Sequence, residues 1–453
     1  GDSDPYFRLW TAWTKNAIEQ LKTTPNLLGW MLPDDPRALP FTNDVGFSKW
    51  LAANYADIEV LNTQWNTAFK SLDDVTMNAA GSAVQNWQEQ REALKAALTT
   101  TPSGKNKSAQ TKKLQEQLLA QQSPMTHWPF HPAQLALAHY KWDAYRLLLS
   151  RWARTIKETD SAHLVISGRL PDYAQLLSLP PEVDISLPDL RPGFAETDIV
   201  THNPQAVDIA RRGGRFKAIP IFATASNNAL RPEVLPLAVG DWLQSAQLHG
   251  ASGAGFSSWP DLQANADLRR AVAQAIADTL APDFRDLWST QPVATTAVIL
   301  APLADGHTSE QGPPSWSSGP RGLYGFGEGM LEGEPSNLVF ALRWGASFGP
   351  VDYLAPTDLE PSEAERAAPL AAVNPLARYS TVLMPSVYSV SPDAAIALMN
   401  YVTGGGVVVA DLGVGATQSG NGVLAMPPTL AQLFGLPVAT ALSTVSFDLE
   451  ARA

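Results

Sequence analysis

The sequence predicts an α/β protein built on two parallel sheets. Short apolar runs, typical of strands buried on both faces, alternate with amphipathic segments of helical period between residues 132 and 290. A second alternation of the same kind begins at residue 293. Strands that alternate with helices are joined by crossover connections, so both halves are expected to form parallel sheets.

Length and composition limit the architecture and the classes of function. A chain of 453 residues with 45% apolar residues is expected to fold into two or three domains. The net charge of −12 argues against non-specific nucleic-acid binding. Because cysteine is absent from the sequence, thiolate catalysis, disulfide bonds and cysteine-ligated zinc are excluded.

The same composition bears on location. The combination of no cysteine, 14 tryptophans and 36 prolines favours an extracytoplasmic bacterial protein, although core packing accounts for most of the tryptophans. No apolar run reaches the roughly 18 residues that a membrane span requires. No signal peptide is visible in this chain, and the sequence leads directly into a helix over residues 5–24.

The first half is expected to contain five strand–helix units and one insertion. The expected strands share short apolar runs and are residues 27–32, 163–168, 183–189, 216–224 and 253–259. The expected helices between them share apolar stripes and are residues 44–55, 134–159, 205–212, 235–249 and 268–287. Residues 84–122 are rich in Gln, Lys and Glu on either side of a turn, which indicates an inserted helical hairpin. A solvated insertion is favoured over a partner or polymer contact.

Two motifs after the first strand resemble a known family. Residues 47–55 read FSKWLAANY, and residues 61–69 read LNTQWNTAF. Both resemble the stretch that follows the acid/base glutamate in glycoside hydrolase family 42, the β-galactosidases. The resemblance implies a (β/α)₈ TIM-barrel-like domain over residues 1–290, whose five units correspond to strands four to eight. A barrel has eight strands, so the first three are expected to lie outside this chain.

The resemblance also implies where catalytic carboxylates belong, and the sequence departs from it there. Retaining glycosidases use two carboxylates about 5 Å apart. Where the family has Asp-Asn-Glu, this chain has Pro33, Asp34 and Asp35, which makes Asp35 the candidate proton donor. The second carboxylate is expected within residues 219–226, but Thr224 and Ala225 occupy the place and that segment contains no carboxylate.

Three functions remain open. In the first, Asp34, Asp35, Asp189 and Asp261 converge at the strand ends of a glycoside hydrolase with rearranged carboxylates. An inverting pair, about 6.5–9.5 Å apart, needs no nucleophile. In the second, the barrel is catalytically inactive and binds a carbohydrate, and Asp34 and Asp35 are turn residues. In the third, the protein is a structural assembly subunit.

Other side chains are candidates for binding a β-linked oligo- or polysaccharide. Trp259 lies at the end of the last expected strand of the first half, and its place is similar to that of an aromatic residue that stacks on the sugar in many related barrels; core packing is the alternative. His202 and Asn203 could hydrogen-bond to a hydroxyl group. His127 and His131 lack a nearby ligand partner, so neither a metal site nor a cofactor is expected.

Residues 291–453 are expected to form a flavodoxin-like doubly wound domain, with strands at 296–301, 351–354, 380–385 and 406–411. Residues 379–410 resemble the trimerisation domain of family 42, which is related to class I glutamine amidotransferases. That resemblance implies a homo-oligomer, a trimer in the family. Amidotransfer needs a cysteine nucleophile, which this chain lacks. The run Gly404–Gly406 follows a helix and precedes a strand, so it is interpreted as a helix stop and not as a phosphate loop.

Overall fold

The computed structural model covers both predicted sheets. It describes residues 5–33, 43–100, 113, 131–170, 176, 179–190, 203–223, 235–257, 259–299, 351–360, 374–384, 387, 390–410 and 428–435. The connection 34–42, the second helix of the predicted hairpin apart from residue 113, and residues 300–350 lie outside these residues.

The described residues contain strands and helices close to the predicted ones. The strands are β1 (Gly29–Met31), β2 (Leu164–Leu170), β3 (Ile185–Leu190), β4 (Lys217–Ala218), β5 (Ile221–Ala223), β6 (Gly255–Ser257), β7 (Thr296–Ile299), β8 (Val351–Leu354), β9 (Thr381–Met384) and β10 (Val407–Ala410). The helices are α1 (Pro5–Leu21), α2 (Asp44–Asn54), α3 (Ile58–Trp65), α4 (Met77–Thr100), α5 (Pro132–Thr159), α6 (Asn203–Arg211), α7 (Leu235–Leu248), α8 (Trp259–Ala264), α9 (Ala266–Thr279), α10 (Pro282–Arg285), α11 (Pro392–Thr403) and α12 (Pro428–Leu433).

The first sheet is parallel, and its strands follow chain order. The order is β1-β2-β3-β5-β6, and β4 also pairs with β3. Ile185 is in register with Lys217 in β4, and Asp189 with Ile221 in β5, so β4 and β5 occupy one position in the sheet. The predicted strand 216–224 is therefore interrupted at Ile219 and Pro220. Proline has no backbone N–H to donate to a sheet ladder, which accounts for the interruption.

The second sheet is also parallel, in the order β10-β9-β7-β8. Its first three strands in the chain are fully paired, with Thr296 in register with both Val351 and Thr381. The helix stop predicted at the glycine run is confirmed. The Gly404 N–H bonds to the carbonyl oxygen of Asn400, and Gly405 has a φ of 98°.

One large apolar core extends through both sheets. On the first sheet, α1 packs against α5, where the rings of Trp10 and Trp152 lie 5.1 Å apart. Helices α7 and α9 pack together, and Trp242 stacks on Phe222 of β5 at 5.6 Å. The same cluster of buried side chains includes Val298 and Tyr353 of the second sheet. The sheets therefore share their apolar packing.

Two predicted elements differ from the structure near the end of the first half. The predicted helix 268–287 ends at Thr279, because Pro282 cannot continue a helix and instead begins the short α10. Trp259 was predicted at the end of a strand but is the first residue of α8, which also contains Asp261. Pro260 follows it in the first turn of the helix, where the missing N–H costs nothing.

None of the helices in the described ranges has both the length and the apolar character to cross a bilayer.

Candidate functional site

In the sequence, the predicted site residues lie at or after the carboxyl ends of strands in the first sheet. Because β1, β3, β5 and β6 are parallel, their carboxyl ends share that edge. Asp189 is the second-last residue of β3, and Asn203 is the first residue of α6. Trp259 and Asp261 lie on α8, two and four residues after the end of β6. Asp34, Asp35, His202, Thr224 and Ala225 lie outside the described residues.

The sheet order sets approximate backbone separations between these connections. Neighbouring strands lie about 4.8 Å apart, so β3 is about 10 Å from β1 and about 10 Å from β6. β1 and β6 are four positions apart, and only curvature of the sheet can bring their connections close. Asp189 therefore lies on the central strand between the connection that contains Asp34 and Asp35 and the helix that contains Asp261.

Both ends of the connection that contains Asp34 and Asp35 are held in place. Before it, the N–H of the buried Leu32 donates to the carbonyl oxygen of Ile166 at 2.8 Å. After it, the backbone N–H of Asn43 donates to the Tyr140 hydroxyl at 3.1 Å, and that hydroxyl donates to the Asn43 carbonyl oxygen at 3.0 Å. Burial and the nearby Asp44 carboxylate raise the pKa of Tyr140 despite the hydrogen bond to Asn43. The phenol thus stays neutral and can serve both bonds.

The motif residues beyond this connection form a second, smaller core. Its fully buried members, here called the small core, are Phe47, Leu51, Tyr55, Leu61, Trp65, Val75, Ala80, Ala133, Ala136 and Tyr140. Every aromatic and leucine position of the two family-like motifs belongs to it or packs against it. The motifs that carry the resemblance therefore have a structural role.

Polar motif residues complete the small core by local hydrogen bonds. Asn62 donates from Nδ2 to the Phe69 carbonyl oxygen at 2.8 Å and accepts from the Phe69 N–H at 2.8 Å. It also accepts from the Thr67 hydroxyl at 2.9 Å. The indole N–H of Trp65 donates to the Tyr55 hydroxyl at 3.1 Å. These bonds explain why Asn and Trp occur at fixed spacing in the motif.

His131 is part of the same structure. Its Nδ1 accepts from the Ala133 N–H at 3.2 Å and caps α5, and its Nε2 lies 3.0 Å from the Trp65 carbonyl oxygen. Burial lowers the pKa of His131 to about 4, although the bond to Trp65 acts in the opposite direction. The imidazole is thus neutral near pH 7. In the part of the chain that the structure describes, no group of three or more potential ligands is arranged to hold a metal ion.

Trp30 of β1 also contributes to packing. Its side chain is half-buried against the large core, and its indole N–H donates to the Asp160 carboxylate at 2.9 Å. Asp160 lies beyond the C-terminus of α5 and also accepts from the ring of His163 at 2.7 Å. Trp30 therefore has a packing role. The sequence analysis missed Asp160, for which only its position at the end of a long helix was a signal.

A cavity of about 360 Å³ lies away from the carboxyl edge of the sheet. Its walls include residues 252–254, which directly precede β6, together with Leu243, Ile276 and Trp288. Arg285 is the charged residue in its lining. This cavity borders the amino end of β6, whereas active sites of (β/α) barrels lie at the carboxyl ends of the strands.

Comparisons with solved structures agree with this topology. A β-galactosidase from Bacillus circulans sp. alkalophilus superposes with a TM-score of 0.61 at 15% identity, covering 95% of this chain and 58% of its own. A β-galactosidase from the psychrophilic Marinomonas ef1 gives 0.57 at 15% identity, covering 95% and 62%. An exo-carrageenase of family 42 from Bacteroides ovatus gives 0.51 at 12% identity, covering 86% and 50%.

These similarities establish a fold like that of the family 42 glycoside hydrolases. The chain spans about 60% of the length of the β-galactosidases that it matches. No protein-family model and no curated protein sequence matches it. The expected resemblance is therefore confirmed at the level of the fold.

Proposed function

We propose that this protein binds a β-linked oligo- or polysaccharide at the carboxyl edge of the first sheet and hydrolyses its glycosidic bond. The observation that carries the proposal is the parallel order β1-β2-β3-β5-β6, because the carboxyl ends of parallel strands share one edge. Asp189 lies near the end of β3, and in the sequence Asp35 follows β1 and Asp261 follows β6. The family 42-like fold supports a saccharide as the ligand class. Because the similar structures include both β-galactosidases and an exo-carrageenase, the individual sugar stays open.

The proposed chemistry is inversion, with Asp35 as the proton donor. Residues 219–226 include β5 and the positions directly after it, and they contain no carboxylate that could act as a nucleophile. An inverting enzyme needs instead a base about 6.5–9.5 Å from the acid, with room for a water molecule. Asp189, about two strand spacings from β1, is compatible with that separation, and Asp34 and Asp261 are the alternative bases. Trp259, His202 and Asn203 are the proposed sugar contacts.

The decisive experiment measures release of nitrophenol from a panel of nitrophenyl β-glycosides, beginning with the β-galactoside. We expect Asp35→Asn to lower kcat by at least about 10²-fold, the lower range for loss of general acid catalysis. Asp73→Asn, a change at an exposed carboxylate on the turn Leu72–Asp74, is the control. Proton NMR of the first-formed anomer distinguishes inversion from retention. Full activity of Asp35→Asn would eliminate the assignment.

A second function, saccharide binding without hydrolysis, is favoured by one observation. The segment after β5 lacks the expected carboxylate, and the first connection has aspartates where the family has Asn-Glu. In that case, calorimetry detects saccharide binding that Trp259→Ala weakens, while no variant changes a hydrolysis rate above background. If the protein has an assembly role without saccharide binding, calorimetry should detect no saccharide binding and no hydrolysis should exceed the background rate.

We also propose the organisation around this site. Residues 1–290 form the barrel-like portion, and residues 291–453 form a flavodoxin-like domain. In chain order, the second sheet reads 2-1-3-4, which matches the first four positions of the doubly wound order 2-1-3-4-5. We propose that this domain mediates homo-oligomerisation as a trimer and that the protein acts outside the cytoplasm. Light scattering and fractionation of the source cells test these two points.

A further inference from the structure

Charged side chains are buried where the two sheets meet. The junction charge cluster comprises Asp208, Arg211, Arg212, Arg215, Asp352, Asp358 and Arg378. Arg211, at the end of α6, is 1% exposed and lies 3.1 Å from Asp352 of β8. Arg212 is 4% exposed and donates from Nε to Asp358 at 3.0 Å, with a second, shorter bond from Nη2. These pairs connect residues of the first half with residues of the second.

The two carboxylates from the second half each have several partners. Asp352 accepts from Arg378 at 2.9 Å and from the Tyr379 hydroxyl at 2.9 Å, in addition to Arg211. Asp358 also accepts from Arg215 at 2.6 Å and from the backbone N–H of Ala355 at 2.8 Å. Burial raises the pKa of Asp358, but the Arg212 and Arg215 guanidinium groups outweigh burial and hold this pKa below its usual range. Both acids are therefore well supplied with donors.

Further hydrogen bonds orient the arginines. Arg211 donates to the Gln291 side chain at 2.9 Å, and Arg212 donates to the Leu179 carbonyl oxygen at 2.7 Å. Asp208 lies 4.0 Å from Arg211, and both of its oxygens lie 2.9 Å from Nδ1 of His249, which follows α7. The cluster thus joins α6, α7, β8 and the turn after β8.

The backbone between the arginines allows the close approach. Arg212, Gly213 and Gly214 have positive φ angles of 43°, 65° and 86°. The Gly213 carbonyl oxygen accepts a hydrogen bond from Arg378. A Cβ atom at Gly213 would lie 2.8 Å from Arg378 and 2.9 Å from Leu354. A side chain at this position would therefore separate the turn from the second sheet.

We propose that the junction charge cluster is an electrostatic latch that holds the two sheets in one arrangement and makes them open as a unit. Apolar contacts in the shared core are non-directional and tolerate small rotations between the sheets. Buried ion pairs are not tolerant, because a displaced partner leaves an uncompensated charge in a low-dielectric environment. The latch therefore fixes how the two sheets are arranged relative to each other. This role does not depend on the proposed saccharide chemistry.

The test compares Asp358→Asn with Asp267→Asn in hydrogen–deuterium exchange and thermal unfolding of the 453-residue chain. Asp267 is a matched control because it pairs with an arginine, Arg270, on α9, but both side chains are more than three-quarters exposed. We expect Asp358→Asn to raise exchange in residues 351–354 and 203–211 at least tenfold and to split unfolding into two transitions. The control should match the wild type in both measurements.

Arg215→Gln covers the case in which Asp358→Asn does not fold. The Arg215 side chain is 41% exposed and contacts the same carboxylate, so its loss should raise exchange in the same two segments by a smaller factor. Exchange raised only in residues 351–354, with residues 203–211 unchanged, would overturn the latch, since Asp358 would then stabilise only its own half of the chain. Unchanged exchange in both segments would overturn it as well.

Discussion

The small core and the junction charge cluster bury polar groups in opposite ways. In the small core the buried polar side chains are uncharged types, and the bonds within the family-like motif span a short stretch of chain, as those of Asn62 with Thr67 and Phe69 do. In the junction the side chains are of charged types, and the pairs that join the two halves lie more than 140 residues apart in the sequence, as Arg212 and Asp358 do. One region stabilises a local structure, and the other specifies how two distant parts of the chain meet.

This contrast indicates which interactions can be recognised from a sequence motif. Neutral hydrogen bonds and aromatic packing contribute modestly per contact and tolerate relaxation, so local spacing is enough to encode them. Buried ions are costly unless every partner is in place, so their value depends on the tertiary arrangement.

Trp65→Ala should have the largest effect. The indole is 1% exposed and packs edge-on against Tyr55 and Phe69, with ring centroids 6.0 and 6.5 Å away. Truncation of a buried tryptophan costs about 3–5 kcal/mol. Exchange in residues 43–80 should rise sharply, while residues 351–354 at the junction change little. Trp13→Ala, at a side chain that is 67% exposed, is the control. If both variants lost the same free energy of unfolding, the small core would not be a separate unit.

Lowering the pH should weaken the small core through His131. Its folded-state pKa of about 4 lies below the usual value of 6.5, so the unfolded chain binds a proton that the folded chain excludes. The contribution of His131 to the free energy of unfolding is therefore fully present above about pH 6.5. It decreases as the pH drops towards 4, by about 2–3 kcal/mol at pH 4.5. Urea unfolding of residues 43–80, monitored by hydrogen–deuterium exchange at pH 7 and at pH 4.5, checks this. His131→Gln should abolish the difference, and a pH effect of equal size in that variant would refute the assignment.

Asn62→Ala should have the smallest of the three effects. It removes three hydrogen bonds and leaves the Phe69 N–H and carbonyl oxygen without their partner, which costs about 1–3 kcal/mol. Asn54→Ala removes one bond, to the Trp50 carbonyl oxygen, and should cost less than about 1 kcal/mol. Urea unfolding of both variants gives the comparison. A larger loss for Asn54→Ala would show that the bridge at Asn62 is not what orders this motif.

Most of the local structure could be predicted from the sequence. The helix over residues 44–55 and the glycine stop at residues 404–406 follow from apolar spacing and capping chemistry, and both are observed. Three misplaced boundaries occur at prolines, whereas α3 and the first turns of α4 were not predicted. Pro220 divides a strand, Pro260 lies in the first turn of the helix that begins at Trp259, and Pro282 ends a helix early. In each case the apolar pattern continues through a residue that cannot extend the backbone hydrogen bonds.

The candidate site was only partly predictable for a different reason. The sequence indicates which residues end or follow each strand. In the parallel sheet, Asp189 lies near the carboxyl end of β3, Asn203 begins the helix after β3, and Trp259 and Asp261 lie on the helix after β6. Whether two carboxylates face each other depends on the curvature of the sheet and on the connections between its strands. Neither property is encoded in the spacing of residues along one strand.

By itself, the sequence determined the α/β class, the positions of the strands and the family-like motifs, because these depend on interactions between residues close in the chain. The tertiary structure decided the roles. It showed that the motif residues build the small core, and it paired two arginines at the end of α6 with aspartates in β8 and in the turn after it. Such pairs acquire meaning only when folding removes water from both partners, because solvation masks their charges in the extended chain.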